Sequence, residues 1–322
     1  MKKRIGILLL VLVLILSACG QQESRNTGNK DDDKMKIVAS FFPAADLASK
    51  IGGEKVTVKN LTQSGSAHGF EPSVGDMKEI VQADLLIING AGFETWVDKV
   101  KAANTNLDII EISKGIELIP AEVGHVHEDE ETSEHGEEDQ HDEEGHGLYD
   151  PHTWLSIKNL DKMAQNIYNK LSDIDADNEE YYNNNFESVK IRVSEIIDKY
   201  VSKINKYKGK SIVVPHEGFA YLVNELGIEQ IGLEGINSDS EPTLTKIAEI
   251  SEIMKEKEIE TVFYDFGKSD KAAQTIANEI KGKVKPISTL EVITDEDVKA
   301  GKDLFTLIEM NLQNILDSFE GK

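Results

Sequence analysis

Eight histidines are spread unevenly along the 322 residues of the chain. Five of them, His125, His127, His135, His141 and His146, fall in "GHVHEDEETSEHGEEDQHDEEGHG" (124–147), which has no Lys or Arg. Twelve Asp and Glu lie between Ala121 and Gly147. The other three, His68, His152 and His216, are far apart in sequence. Imidazole is a ligand for zinc, copper and nickel, whereas magnesium and manganese prefer oxygen donors. A run this poor in apolar groups cannot offset its ordering entropy by packing, and His-rich tracts are associated with metal binding. The chemistry on offer is cation capture, in a mobile tract and at three separated imidazoles.

The elements that must position those imidazoles can be read from periodicity. Strand candidates are "KIVAS" (36–40), "KVTVKN" (55–60), "DLLIIN" (84–89) and "LDIIEI" (107–112), with helical stretches near 44–52, 73–82 and 94–103 between them. A second set follows, "SIVVP" (211–215), "IEQIGLE" (228–234), "IETVFYD" (259–265) and "KVKPIS" (283–288), with helices near 218–227, 243–257, 269–280 and 303–318. Such alternation predicts βαβ units and mainly parallel sheets. Between the sets, residues 178–207 hold no Gly or Pro, and Phe186, Val189, Val193, Ile196, Ile197, Tyr200 and Ile204 recur at threes and fours. One helix of roughly 28 residues, about 42 Å long, is expected there.

The expected fold is α/β, with two lobes that each carry a mainly parallel four-stranded sheet flanked by helices, joined by one long rigid helix. The divisions are an N-terminal lobe at 35–176 containing the acidic loop 122–147, a linking helix at 177–207, and a C-terminal lobe at 208–322. His68 follows "KVTVKN", His152 ends the acidic loop, and His216 directly follows "SIVVP". Ligands of open α/β sheets gather beyond the carboxyl ends of the strands, so these three imidazoles can meet between the lobes.

Several segments in order, "FFPAADLASKIGG", "HGFEPS", "DLLIINGAGFETWVDK", "DPHTWLS", "VPHEGFAYL", "EPTLTKIAEI" and "STLEVIT", make the chain resemble the solute-binding lipoproteins of bacterial zinc and manganese ABC importers, the cluster A-I or adhesin-type group. The resemblance runs from about Lys36 to the end. It implies metal ligands at His68, His152 and His216, and a fourth at Glu291 in "PISTLEVIT", with Asp265 at the end of "TVFYD" as second choice. Manganese-selective relatives tend to carry a carboxylate where this chain has His216. Three nitrogens and a carboxylate in tetrahedral array suit Zn2+, so zinc is the expected cargo and manganese the alternative. The five loop histidines then become a weak collector at the cleft mouth, raising zinc concentration near a tight site. The implied partner is the transmembrane subunit of an ABC permease, and the implied state is a monomer.

The amino terminus, "MKKRIGILLLVLVLILSACG", has a basic start, an apolar run from Ile5 to Leu16 and small residues before Cys19. It reads as a signal peptide over 1–18, too short in its apolar run to span a bilayer, which takes ~20 residues. "LSAC" resembles a lipobox, which places a lipid on Cys19, the single cysteine. Residues 19–34 read as a flexible tether. The expected location is extracytoplasmic, held by that lipid on the outer face of the bacterial cytoplasmic membrane. A net charge of −24 argues against nucleic acid as a partner, since phosphate binding needs a basic face.

Enzymatic readings lack their residues. "HEGFA" (216–220) begins like H-E-x-x-H but ends in Ala220. "NGAGFET" (89–95) has Thr95 where a dinucleotide fingerprint needs its third glycine. There is no G-x-S-x-G elbow, and a closed His3Glu shell leaves no open position for catalytic water. The expectation is a carrier without catalytic activity. A surface adhesin is the remaining alternative, resting on the family label alone.

Overall fold

Among the described residues, eight strands form two separate four-stranded sheets, and every strand pairing within them is parallel. The first contains β1 (Met35–Ala39), β2 (Val56–Asn60), β3 (Leu85–Ile88) and β4 (Asp108–Glu111) in the order β2-β1-β3-β4. The second contains β5 (Ser211–His216), β6 (Glu229–Glu234), β7 (Thr261–Asp265) and β8 (Lys283–Ile287) in the order β6-β5-β7-β8. The computed structural model describes residues 34–62, 67–121, 148–236, 242–291 and 293–322. The expected signal peptide, Cys19, the tether up to residue 33 and the five loop histidines lie outside them.

The central strands β1, β3, β5 and β7 are covered on both faces, which is why they read as near-continuous apolar runs, whereas the edge strands β2 and β4 keep exposed positions. Strand side chains alternate between faces, and the packing follows. Ile37 and Ala39 of β1 and Leu85 and Ile87 of β3 enter one large core, while Val38, Leu86 and Ile88 enter a smaller one with Ile80, Trp96 and Val100. In the second sheet Ile212, Val214 and Phe263 join that same large core. Val213 and Val262 turn the other way, onto Ile250, Met254 and Ile276.

The large core is therefore shared by both sheets. It is filled by α1 (Phe42–Gly52), then, beyond α2 (Val74–Val81) and α3 (Val97–Ala103), by α4 (Ile157–Ile174) and α5 (Glu179–Ile196). The second half adds α6 (Ala220–Leu226), α7 (Leu244–Glu256), α8 (Lys271–Ile280), α9 (Asp295–Lys299) and α10 (Leu304–Phe319), and α10 enters the same core through Leu307, Leu312 and Ile315. Residues Met35–Lys322 form one compact unit.

The long helix expected at 178–207 exists but is not uniform. After α5 come a π turn (Ile197–Val201), a short α segment (Ser202–Ile204) and a 3-10 turn (Asn205–Tyr207). Residues four apart drift by ~40° on an ideal α-helix, and Ile196, Tyr200 and Ile204 are spaced by fours. Wider i→i+5 closure over 197–201 offsets that drift, and all three stay buried. The rod is bound to both halves: Asn185 Nδ2 donates to Ile51 O (2.9 Å), and Lys199 pairs with Glu309 of α10 (2.8 Å).

Candidate metal centre

The β2-β1-β3-β4 and β6-β5-β7-β8 orders each reverse direction beside their first strand, and crevices form at such points beyond the carboxyl ends. His216 is the last residue of β5. His68 lies in the connection from β2 to α2, His152 in the connection from β4 to α4, and Glu291 just beyond β8. Each of these four residues offers one ligand atom, and the four atoms all lie within 4.8 Å of one another. His152, His216 and Glu291 are buried and His68 is half-buried.

His68 Nε2 is 2.9 Å from His152 Nε2, and Glu291 Oε1 is 3.4 Å from the first and 3.7 Å from the second. The His216 ring lies 5.5 Å from that of His152 and 6.3 Å from that of His68, centre to centre. Donors about 2.0–2.1 Å from a tetrahedral zinc stand roughly 3.3 Å apart, so the spacing fits a single ion. His216 Nε2 and Glu291 Oε1 are buried without a hydrogen-bond partner, although buried polar atoms are nearly always paired. A Cβ on Gly218 would lie 2.5 Å from His216 Nε2 and 3.0 Å from His152 Nε2. The missing side chain leaves room where the donors face one another.

Charge is divided unequally among these groups. Burial pushes the His216 imidazole down to about 3, with the neighbouring His152 cation adding to it. For His152 burial acts in the same direction, but the Asp150 carboxylate, which accepts from Nδ1, and the nearby Glu291 charge outweigh it and raise the ring to about 9. For Glu291 burial opposes ionisation, yet His152 and His68 hold the carboxyl well below its usual range. The crevice thus holds a carboxylate and a neutral His216 ready to donate lone pairs, and an imidazolium that must give up a proton.

Residues behind the four donors fix their aim. Asp150 Oδ1 accepts from the His152 backbone N–H (2.9 Å) and from ring Nδ1 (2.7 Å), turning Nε2 toward the crevice. Tyr221 of α6 donates to Asp150 O (2.8 Å) and accepts from Ile119 N–H (3.0 Å), joining the halves behind His152. The dinucleotide-like "NGAGFET" performs another task. Gly90, Ala91 and Gly92 run at φ 82°, 54° and 82°. This sharp turn lets the half-buried Glu94 carboxylate accept from Asn89 N–H, Gly90 N–H and the Ser40 hydroxyl. Asn89 then donates to Pro151 O (2.9 Å) and accepts from the Thr153 hydroxyl (2.9 Å), bracketing His152.

The Glu291 loop is held just as firmly. Trp154 Nε1 reaches from the first half to donate to Thr289 O (2.8 Å). The Asn311 amide accepts from Ser288 N–H and donates to Ser288 O, both at 2.7 Å. Leu290, fully buried, sits at φ 63°, a strained conformation for a branched side chain. Asp265, the second candidate for the fourth ligand, ends β7 and faces Lys268 Nζ at 3.3 Å. It is outside the group of four. Sequence reading missed Asp150, Tyr221, Glu94, Asn311 and Gly218. Only Asp150 carried a local signal, two residues before a candidate ligand.

Comparison with known proteins adds an independent observation. The family described as zinc-uptake complex component A, periplasmic (ZnuA) matches residues 37–318. The zinc-binding protein AdcA of Streptococcus pyogenes serotype M3 is 32% identical over 318 residues, 98% of this chain and 61% of that protein. The chain thus spans less than two thirds of that relative. The high-affinity zinc uptake system protein ZnuA of Bacillus subtilis is 29% identical over 315 residues, covering 95% of this chain and 94% of that one. Among solved structures, the Zn(II)-bound ZnuA-like domain of Streptococcus pneumoniae AdcA superposes with a TM-score of 0.74 at 26% identity, covering 88% of this chain and 98% of that one.

Proposed function

The chain belongs to the family of zinc-uptake complex component A, and on that footing we propose that it captures Zn2+ outside the cytoplasm and hands it to an ABC permease for import. The reading is carried by one observation: four candidate donors from both halves face each other within 4.8 Å, and His216 Nε2 and Glu291 Oε1 among them have no hydrogen-bond partner. His68, His152, His216 and Glu291 are the proposed ligands. Three imidazoles and a carboxylate favour zinc over manganese. The chain acts as a carrier rather than an enzyme, because four protein donors fill a tetrahedral shell. We place it as a monomer tethered through lipidated Cys19, with His125, His127, His135, His141 and His146 collecting zinc weakly beside the tight site.

The test is metal content and stoichiometry of protein purified without chelator, for the parent chain and for His216→Ala. One tightly held zinc per parent chain, absent from the variant, is expected. Manganese in the parent, or undiminished zinc in the variant, overturns the assignment. Deleting 122–147 should slow uptake in scarce zinc while leaving one tight site; loss of that site would refute the division of labour.

A further inference from the structure

The dinucleotide-like turn "NGAGFE" (89–94), between β3 and α3, lies behind two of the four donors. Near its end, the Phe93 ring meets the His68 imidazole in an edge contact, 5.2 Å between centres. Phe93 also packs at 4.9 Å on Trp154, whose ring lies 5.1 Å from that of His152. At the start of the turn, the fully buried Asn89 amide spans the residues on either side of His152. It donates to Pro151 O and accepts from the Thr153 hydroxyl, both at 2.9 Å. One six-residue piece therefore backs both imidazoles, although 84 positions separate them in sequence.

A charge keeps the turn in this shape. Its backbone is strained at Ala91, which is left-handed at φ 54° without being glycine. Gly90 passes so near its neighbours that a Cβ there would lie 3.0 Å from both Glu111 and Ser113. The Glu94 carboxylate offsets this cost by accepting from Asn89 N–H at 2.8 Å, Gly90 N–H at 3.0 Å and the Ser40 hydroxyl at 2.6 Å. Hydrogen bonds to an ionised group are roughly twice as strong as neutral ones. The two N–H groups go to different carboxylate oxygens, so a neutral amide in place of Glu94 would satisfy only one of them.

We infer that Glu94 is a positioning residue that makes the site selective for zinc over manganese, by locking the turn against which His68 and His152 are aimed. Like the carrier reading above, this rests on those two histidines being ligands. Donors fixed in advance favour the ion whose preferred geometry they already match, since nothing is lost in arranging them. Zinc gains from four fixed donors in tetrahedral array. Manganese seeks an octahedral, oxygen-rich shell and draws no such benefit. Releasing the turn should therefore weaken zinc binding and leave manganese binding almost untouched.

The full chain is compared with Glu94→Gln, Thr153→Val, the two combined, and His152→Ala. Chelator competition with Zn2+ and with Mn2+ gives both affinities, and the absorption of bound Co2+ reports coordination geometry. In Glu94→Gln zinc affinity should fall about ten-fold, the low end for outer-shell changes, with manganese affinity within about two-fold of the parent. The visible Co2+ bands, intense in a four-coordinate site and weak in a six-coordinate one, should lose intensity. Thr153→Val cuts the Asn89 clamp from the His152 side. It should narrow the zinc preference in the same way, which keeps the test decisive if Glu94→Gln does not fold. The combined variant should lose little more than either alone, because both changes act through Asn89. Equal losses for the two ions, a parental zinc-to-manganese ratio, or additive losses in the combined variant overturn the positioning role. Undiminished zinc affinity in His152→Ala instead overturns the ligand assignment beneath it, and the positioning role with it.

Discussion

Asp150 holds His152 by two hydrogen bonds to one oxygen, so it sets both the ring's position and its tautomer. Replacing it with Asn keeps the volume but removes the charge, and outer-shell changes of this kind weaken metal sites 10–100-fold. Chelator competition on Asp150→Asn should show a loss of about that size, with the protein still folded. Protons offer a second test. If His152 ligates zinc as proposed, the ion displaces a proton from a ring raised to about 9, so binding near neutral pH should release about one proton, and the release should vanish as pH rises through 9. Calorimetry in buffers of different ionisation enthalpy reads this number. The same rings shape metal-free stability. His152 is raised in the fold, so its stabilisation is complete below 6.5 and is lost as pH climbs toward 9. His216 is lowered, so its contribution is complete above 6.5 and is lost as pH falls toward 3. Melting temperature in chelator should therefore peak near 6.5, and zinc should remove the alkaline decline.

At the scale of elements, the Glu291 loop hangs from bonds supplied by α10 and by the first half. Asn311→Leu would strand the backbone N–H and C=O of Ser288 in the core, and each unsatisfied group costs about 1–3 kcal/mol. A marked drop in melting temperature is expected. Trp154→Phe would keep most of the ring packing against Phe41 and Phe93 while losing the bond to Thr289, so its effect should fall more on zinc affinity than on melting. Elements of this kind were legible in part. All eight strands were readable because apolar runs bounded by helical periods leave few alternatives, and His68 and His216 could be placed because each follows such a run. The supports were not legible. Asn311 meets Ser288 across 23 residues and Tyr221 meets Asp150 across 71, pairings that no local period announces. The π turn was equally hidden, since spacings of three and four fit an ordinary helix until burial shows which face they keep.

Over the whole molecule, one core draws on both sheets and on the helices between them. Calorimetric unfolding of residues 35–322 should give a single transition with matching van't Hoff and calorimetric enthalpies. A fragment of 208–322 alone should fail to fold, because Ile212, Val214, Phe263 and Leu312 would lose their apolar neighbours. In the proposed carrier role, that shared core would also limit how a bound cargo could be announced. Close-packed interiors deform little, so capture cannot be broadcast as a large change of outline. A receiver telling full from empty must therefore sample the rim itself, where a divalent ion takes the place of a proton and changes the local field by one elementary charge.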